Sequence, residues 1–120
     1  MIKSQKLVVG KLGEVQARRY LENKGFKILE QNYRTRYGEI DLVGKEQNEL
    51  VFIEVRTKTG NDFGTPEETL NKKKITKLRR NALAYTSKIG WKGTFRLDAL
   101  CLILDEKNQP KRIDHYENIC

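Results

Sequence analysis

The chain reads as an α/β protein: a mixed β-sheet flanked by helices, in the order α-β-β-β-α-β-(β), the last strand a short edge. Three observations predict this. Two stretches, 6–24 and 66–88, carry apolar residues at helical spacing between clear start and stop signals. Stretches 26–34, 38–58 and 94–104 carry β-branched and aromatic residues, alternating or in apolar runs of strand length. The second helix falls between two such strands, so it should be a crossover joining parallel neighbours.

The first helix runs from about Lys6 to Lys24 and stops at Gly25. Gly10, Glu14, Ala17 and Leu21 share one stripe, widened by Leu12 and Tyr20. Glu14 is the misfit, a carboxylate on the face that should pack inward, with Gly10 and Gly13 leaving room around it. Phe26–Arg34 is the first strand. Gly38–Lys58 then reads as two strands joined by a polar loop at Glu46–Glu49. In the first of these, Ile40 and Leu42 share one face and Glu39 and Asp41 the other. In the second, Val51, Ile53 and Val55 oppose Glu54, Arg56 and Lys58. With Lys45 opposite Leu50, Asp41 faces Glu54 and Glu39 faces Arg56.

The polar stretch 57–65 reads as an ordinary connection, though its composition also suits a loop beside a site. Thr65-Pro66-Glu67-Glu68 is a helix start: Thr65 as N-cap, Pro66 at N1, Glu68 closing a capping box. Asn71 is a point where this helix kinks or restarts. Ile75, Leu78, Ala82 and Tyr85 form its inward stripe, and Lys72, Lys73, Lys77, Arg79 and Arg80 crowd the rest. Thr94–Leu104 has the apolar run of a buried central strand. Pro110 then breaks the chain before an edge strand over Arg112–Ile119.

A length of 120 residues suits one domain, 1–120, with a single modest core. Apolar content of 38% beside 33% charged residues excludes a disordered chain. The net charge of +8 favours an anionic partner, nucleic acid ahead of a membrane surface or an acidic protein. Cys101, inside LDALCLIL, reads as a small buried hydrophobe; with Cys120 it makes neither a disulfide framework nor a metal knuckle. The N-terminal stretch lacks a signal-peptide core, and no run approaches membrane-span length, so a reducing cytoplasmic location is expected and no membrane partner. His115 has no partner at the spacing of a zinc site or catalytic dyad. Trp91 reads as core packing ahead of base stacking, and Asp98 as a structural residue beside Arg96.

Directly opposed carboxylates on a sheet face stand roughly 4.5–5.5 Å apart at Cβ and repel, so Asp41 and Glu54 invite a cation between them. A hydrated face with Arg56 and Lys58 as counter-ions is the plainer alternative. Glu14, aimed at the sheet, adds a third acid. Mg²⁺ or Mn²⁺ takes such oxygen ligands, polarises a phosphodiester and makes a bound water more acidic. Arg56 and Lys58 lie on the right face to hold phosphate. The basic helix face (Lys72, Lys73, Lys77, Arg79, Arg80), with Arg34 and Arg36 flanking the hairpin, suits salt-sensitive phosphate contacts.

Asp41 followed by Glu54-Val55-Arg56 resembles the D…(D/E)xK core of the PD-(D/E)xK nuclease superfamily. Gly13-Glu14, Gly38-Glu39-Ile40-Asp41-Leu42-Val43, Phe52-Ile53-Glu54-Val55-Arg56-Thr57 and Phe95-Arg96-Leu97-Asp98 resemble, in order and across nearly the whole chain, the YraN-like family of small bacterial proteins. That family is similar to archaeal Holliday-junction resolvases. The resemblance implies a restriction-endonuclease-like α/β fold and a metal site of Glu14, Asp41 and Glu54, with Arg56 completing the catalytic set. It also implies Mg²⁺ or Mn²⁺ as cofactor, DNA (branched, by analogy with the resolvases) as substrate, and a homodimer to match a two-fold junction. Arg56 stands where the superfamily has lysine. Arginine stays charged and is a poor general base, so it suits phosphate binding better than proton transfer. Lys58, about 6–7 Å further along the strand, is the nearest lysine on that face. The alternative is a non-catalytic nucleic-acid-binding protein on the same scaffold.

Overall fold

The computed structural model describes residues 3–60 and 64–120. Asn61, Asp62 and Phe63, in the middle of the connection read at 57–65, lie outside the described residues. The elements are α1 (Lys3–Asn23), β1 (Lys27–Thr35), β2 (Gly38–Glu46), β3 (Glu49–Thr59), a 3-10 turn at Pro66–Thr69, α2 (Lys72–Ile89), β4 (Phe95–Leu104) and β5 (Pro110–Tyr116). They build one five-stranded sheet in the order β1-β2-β3-β4-β5. All neighbours are antiparallel except β3 and β4, which run parallel. This is the mixed, helix-flanked, restriction-endonuclease-like architecture that the sequence predicts.

Gly25 ends α1 as expected. At φ 99° it lets its own N–H reach the Glu22 carbonyl and the Phe26 N–H reach Leu21, both at 3.0 Å. The second helical stretch is two pieces, which resolves the ambiguity at Asn71. Thr65 Oγ1 accepts from the Glu68 N–H at 3.4 Å and caps only the 3-10 turn. Leu70 is extended, and Asn71 starts α2 afresh, its Oδ1 accepting from the Lys74 N–H at 2.9 Å. Pro110 opens β5 instead of breaking the chain ahead of it. A proline at the first position of an edge strand removes no ladder bond. The strand ends at Tyr116, short of Ile119, although the Ile119 N–H still donates to Leu97 at 2.8 Å.

Core residues lie on both sides of the sheet. Under α1, Ala17 and Leu21 meet Leu42, Ile53, Leu100 and Leu102; under α2, Leu78, Ala82 and Tyr85 meet Ile40, Phe52 and Leu97. Ile40 and Leu42 therefore do not share a face, as simple alternation predicted. The β2–β3 pairs follow the expected register from Glu46–Glu49 to Leu42–Ile53 and stop there. Beyond that point the Val55 N–H is taken by the Asp41 side chain, Oδ2 accepting at 2.8 Å. A side chain has replaced a ladder carbonyl, β2 parts from β3, and Ile40 is released to fold beneath α2. Asp41 thus faces Glu54 across a splay rather than across a regular ladder, and Glu39 is not paired with Arg56.

Candidate functional site

The splay between β2 and β3 is where the acids gather. Asp41 enters from β2 and Glu54 from β3, both largely shielded from solvent, and Glu14 reaches in half-buried from α1. Gly13 makes this approach feasible: a Cβ there would collide with the Thr57 side chain, so α1 sits directly on β3. The three carboxyls feel one another. Burial and then the Glu54 charge push Asp41 up to about 7, against the Val55 hydrogen bond, with Glu14 and Glu39 adding to the rise. Burial also raises Glu54, against the pull of Arg56, Lys74 and Lys77. Glu14 is raised by burial and by the charges of Glu39 and Glu54, against a hydrogen bond with Asn32.

Arg56 is braced on both sides. Its Nη1 lies 3.4 Å from Glu54 Oε2, and its Nε donates to Thr69 Oγ1 at 2.6 Å, while the Thr69 hydroxyl donates to the Pro66 carbonyl at 2.6 Å. The 3-10 turn therefore fixes the guanidinium. Glu39, the expected partner of Arg56, instead forms a surface ion pair with Arg34 at 3.7 Å. Lys58 is half-buried further along β3. The lysines whose charges bear on Glu54 come from α2: Lys74 and Lys77. The Lys77 stem lies on Gly38, its Cε 2.6 Å from where a Cβ would stand, at the head of the strand that carries Asp41.

Thr69, Asn32 and Lys74 escaped the sequence reading. No spacing rule links them to the acids; only the fold brings them there. The capping signal at Thr65 gives the turn that holds Thr69, but not its bond to Arg56. Lys72, Lys73, Lys77, Arg79 and Arg80 are exposed on α2, Arg34 is exposed at the end of β1, and Arg36 is exposed in the β1–β2 turn.

The donor set at the splay is all carboxylate oxygen, which fits Mg²⁺ or Mn²⁺, and a dication would offset the charge crowding at Asp41 and Glu54. Among the described residues, no group of three or more His, Cys, Asp or Glu side chains stands in a ready metal-holding arrangement. An ion here would draw on one or two of these carboxylates and complete its shell with water, the usual habit of Mg²⁺.

A second polar centre lies in the sheet at β4. Asp98 is fully buried and accepts from Arg96 Nε at 3.0 Å, from the Asn118 N–H at 3.0 Å, and pairs with His115 Nε2 at 2.7 Å. His115 thus has a partner that its position in sequence did not reveal, and its Nδ1 lies 2.7 Å from Lys24 Nζ. Arg96 also spans Glu46 at 2.9 Å and Glu49 at 3.2 Å. Trp91 packs against the α2-side core, and Cys101 is buried with its thiol pushed up to about 12 by burial. Among the described residues, no helix is long and apolar enough to cross a membrane.

The described residues form a small mixed α/β protein, a five-stranded sheet flanked by helices in the order α-β-β-β-α-β-β. Residues 13–103 match a family model described as the uncharacterised protein family UPF0102, and the chain belongs to that family. It is 40% identical to a UPF0102 protein of Pelotomaculum thermopropionicum over 92% of this chain and 93% of that protein. A UPF0102 protein of Sulfurihydrogenibium is 40% identical over 98% and 96% of the two chains. One from Alkaliphilus oremlandii is 42% identical over 92% and 95%.

Proposed function

We propose that this protein is a cytoplasmic, Mg²⁺- or Mn²⁺-dependent endonuclease that hydrolyses phosphodiester bonds in DNA, acting as a homodimer on branched substrates. The observation that supports it most is the crowding of Asp41 and Glu54 at the point where β2 parts from β3. Folding has gathered like charge where no core packing requires it, the mark of a site kept for a ligand. Asp41 and Glu54, with Glu14 beside them, would hold the ion. Bound there, a divalent cation supplies Lewis acidity toward the phosphodiester and an acidified water.

The rest is done by the chain itself. Arg56, braced by Thr69, binds a phosphate oxygen and offsets the charge that grows on it; permanently protonated, it moves no proton. Lys74 and Lys77 add positive potential on the α2 side. Lys72, Lys73, Arg79, Arg80, Arg34 and Arg36 hold flanking phosphates without reading sequence.

The test is incubation with branched, duplex and single-stranded DNA plus Mn²⁺, using wild type, Asp41→Asn and Glu54→Gln. Loss of cleavage in both variants supports the reading, and cleavage that persists in both rejects this site. A second reading, a nucleic-acid-binding protein that does not cleave, draws on Arg56 in the lysine position. Arg56→Lys separates the two. Cleavage that appears only in that variant means the scaffold is intact and the natural protein binds without cutting.

A further inference from the structure

Arg36 and Tyr37 form the two-residue turn between β1 and β2. They stand against α2 and, with Arg80, Leu83, Ala84, Ser87 and Lys88, line an open cavity of about 500 Å³. Three features set this cavity apart from a merely solvated basic face. Among the described residues, three cations line it and no carboxylate does. Its walls leave large apolar surface in water: Tyr37 is 38% exposed and Leu83 46%. And Tyr37 is held rather than loose. The Arg36 guanidinium lies 4.9 Å over its ring, and Arg36 Nη2 donates to the phenol oxygen at 2.7 Å. The Tyr37 N–H donates to Thr35 Oγ1 at 3.0 Å; the Thr35 hydroxyl bonds Asn81, which is buried in α2 and donates to the Lys77 carbonyl at 3.0 Å. The aromatic tip is thus tied to the helix that forms the other wall.

Cations beside an aromatic ring and aliphatic floor suit a nucleotide. The charges meet the phosphate and the flat apolar surface meets the base. A base inside a continuous duplex is stacked on both faces and is not free to enter. We propose that this cavity takes an unpaired nucleobase, stacked on the Tyr37–Arg36 pair with its phosphates on Arg80 and Lys88. The protein then prefers nucleic acid with displaced or unpaired nucleotides over uninterrupted duplex. This rests on reading the protein as nucleic-acid-binding, and it names the substrate feature that the carboxylate site does not. Tyr37, in the turn, is four residues from Asp41 in β2, so their Cα atoms are at most roughly 13 Å apart.

The test needs no metal. In EDTA, fluorescence anisotropy compares a labelled duplex carrying a one-nucleotide bulge with the same duplex unbulged. Wild type should bind the bulged duplex about tenfold tighter, the scale of one stacked base. Tyr37→Ala should erase that preference while leaving plain-duplex binding within about twofold, and Tyr37→Phe should keep it. Leu83→Glu, at an exposed position, should also erase it by placing a carboxylate in the wall, and thermal melting verifies that each variant is folded. Equal wild-type affinity for the two duplexes overturns the proposal. So does an equal loss on both in Tyr37→Ala, or a site that binds polyglutamate in their place. Preference without metal-dependent cleavage leaves this inference standing and removes the nuclease reading; cleavage indifferent to unpaired bases does the reverse.

Discussion

Asp41 and Asp98 are both sheet carboxylates shielded from water, and the protein treats them in opposite ways. Burial raises the pKa of each. At Asp98, His115, Arg96 and the Asn118 N–H outweigh that penalty and hold the group below the ordinary carboxylate value. At Asp41, one backbone N–H is set against burial and three nearby carboxylates, and the group ends near 7. Asp98 is a staple: it binds β4 to β5 and to the C-terminal segment through Asn118, while Arg96 carries the tie on to the β2–β3 turn. Asp41 is a cost carried by the fold, and a buried group left at a cost points to a ligand in a way that a satisfied one does not.

The largest effect should come from removing the staple. Asp98→Ala leaves Arg96 and His115 facing a void and should destabilise the protein by about 3–5 kcal/mol in urea unfolding. A loss under about 1 kcal/mol would mean that the network is ornamental and the contrast is false.

Asp41→Asn should move stability the other way, by on the order of 2 kcal/mol at pH 8 in EDTA. The sign follows from the shift. The folded pKa lies above the unfolded value of 3.8, so the proton is favoured in the folded state. Stability is then greatest below 3.8 and declines as pH rises toward 7. The variant, which is neutral throughout, should gain on wild type across that window and match it in acid. Asp98 works oppositely. Its contribution is full above 3.8 and is lost as pH falls through its lower folded pKa, so its staple weakens only in strong acid. Adding Mn²⁺ should raise the melting temperature of wild type at pH 8 and leave that of Asp41→Asn unchanged, closing the gap. If Mn²⁺ raises both equally, the ion binds elsewhere.

The smallest effect concerns neither centre. Lys73→Ala, on exposed α2, should lower the slope of log affinity against log salt on duplex DNA by about 0.9 and change stability little. An unchanged slope removes Lys73 from the phosphate track. That result would confine the contacts to residues nearer the splay.

Much of this architecture is local and so was readable in the chain. The register from Lys45–Leu50, Gly25 at the end of α1, the helix start at Thr65 and the break at Asn71 all follow from periodicity and turn chemistry within a few residues, although Thr65 caps only the 3-10 turn and Asn71 caps α2. The nearness of Asp41 to Glu54 was readable by extending the register of the hairpin, although the ladder itself stops one pair short, at Leu42–Ile53. What failed was the assumption that alternation continues to the strand end. Asp41 takes the Val55 N–H with its side chain, and no pattern of apolar and polar residues encodes that exchange.

By itself, then, the sequence determined the order of elements and the two helices, since each rests on the neighbours that a residue has along the chain. Tertiary structure alone decided which carboxylate is satisfied and which is crowded. Asp98 finds His115 and Asn118 from the far end of the chain, Arg56 finds Thr69 across a connection, and Tyr37 meets α2 through Asn81. The physical reason is that the charge state of a buried group depends on partners in space, and spacing along a chain does not specify them.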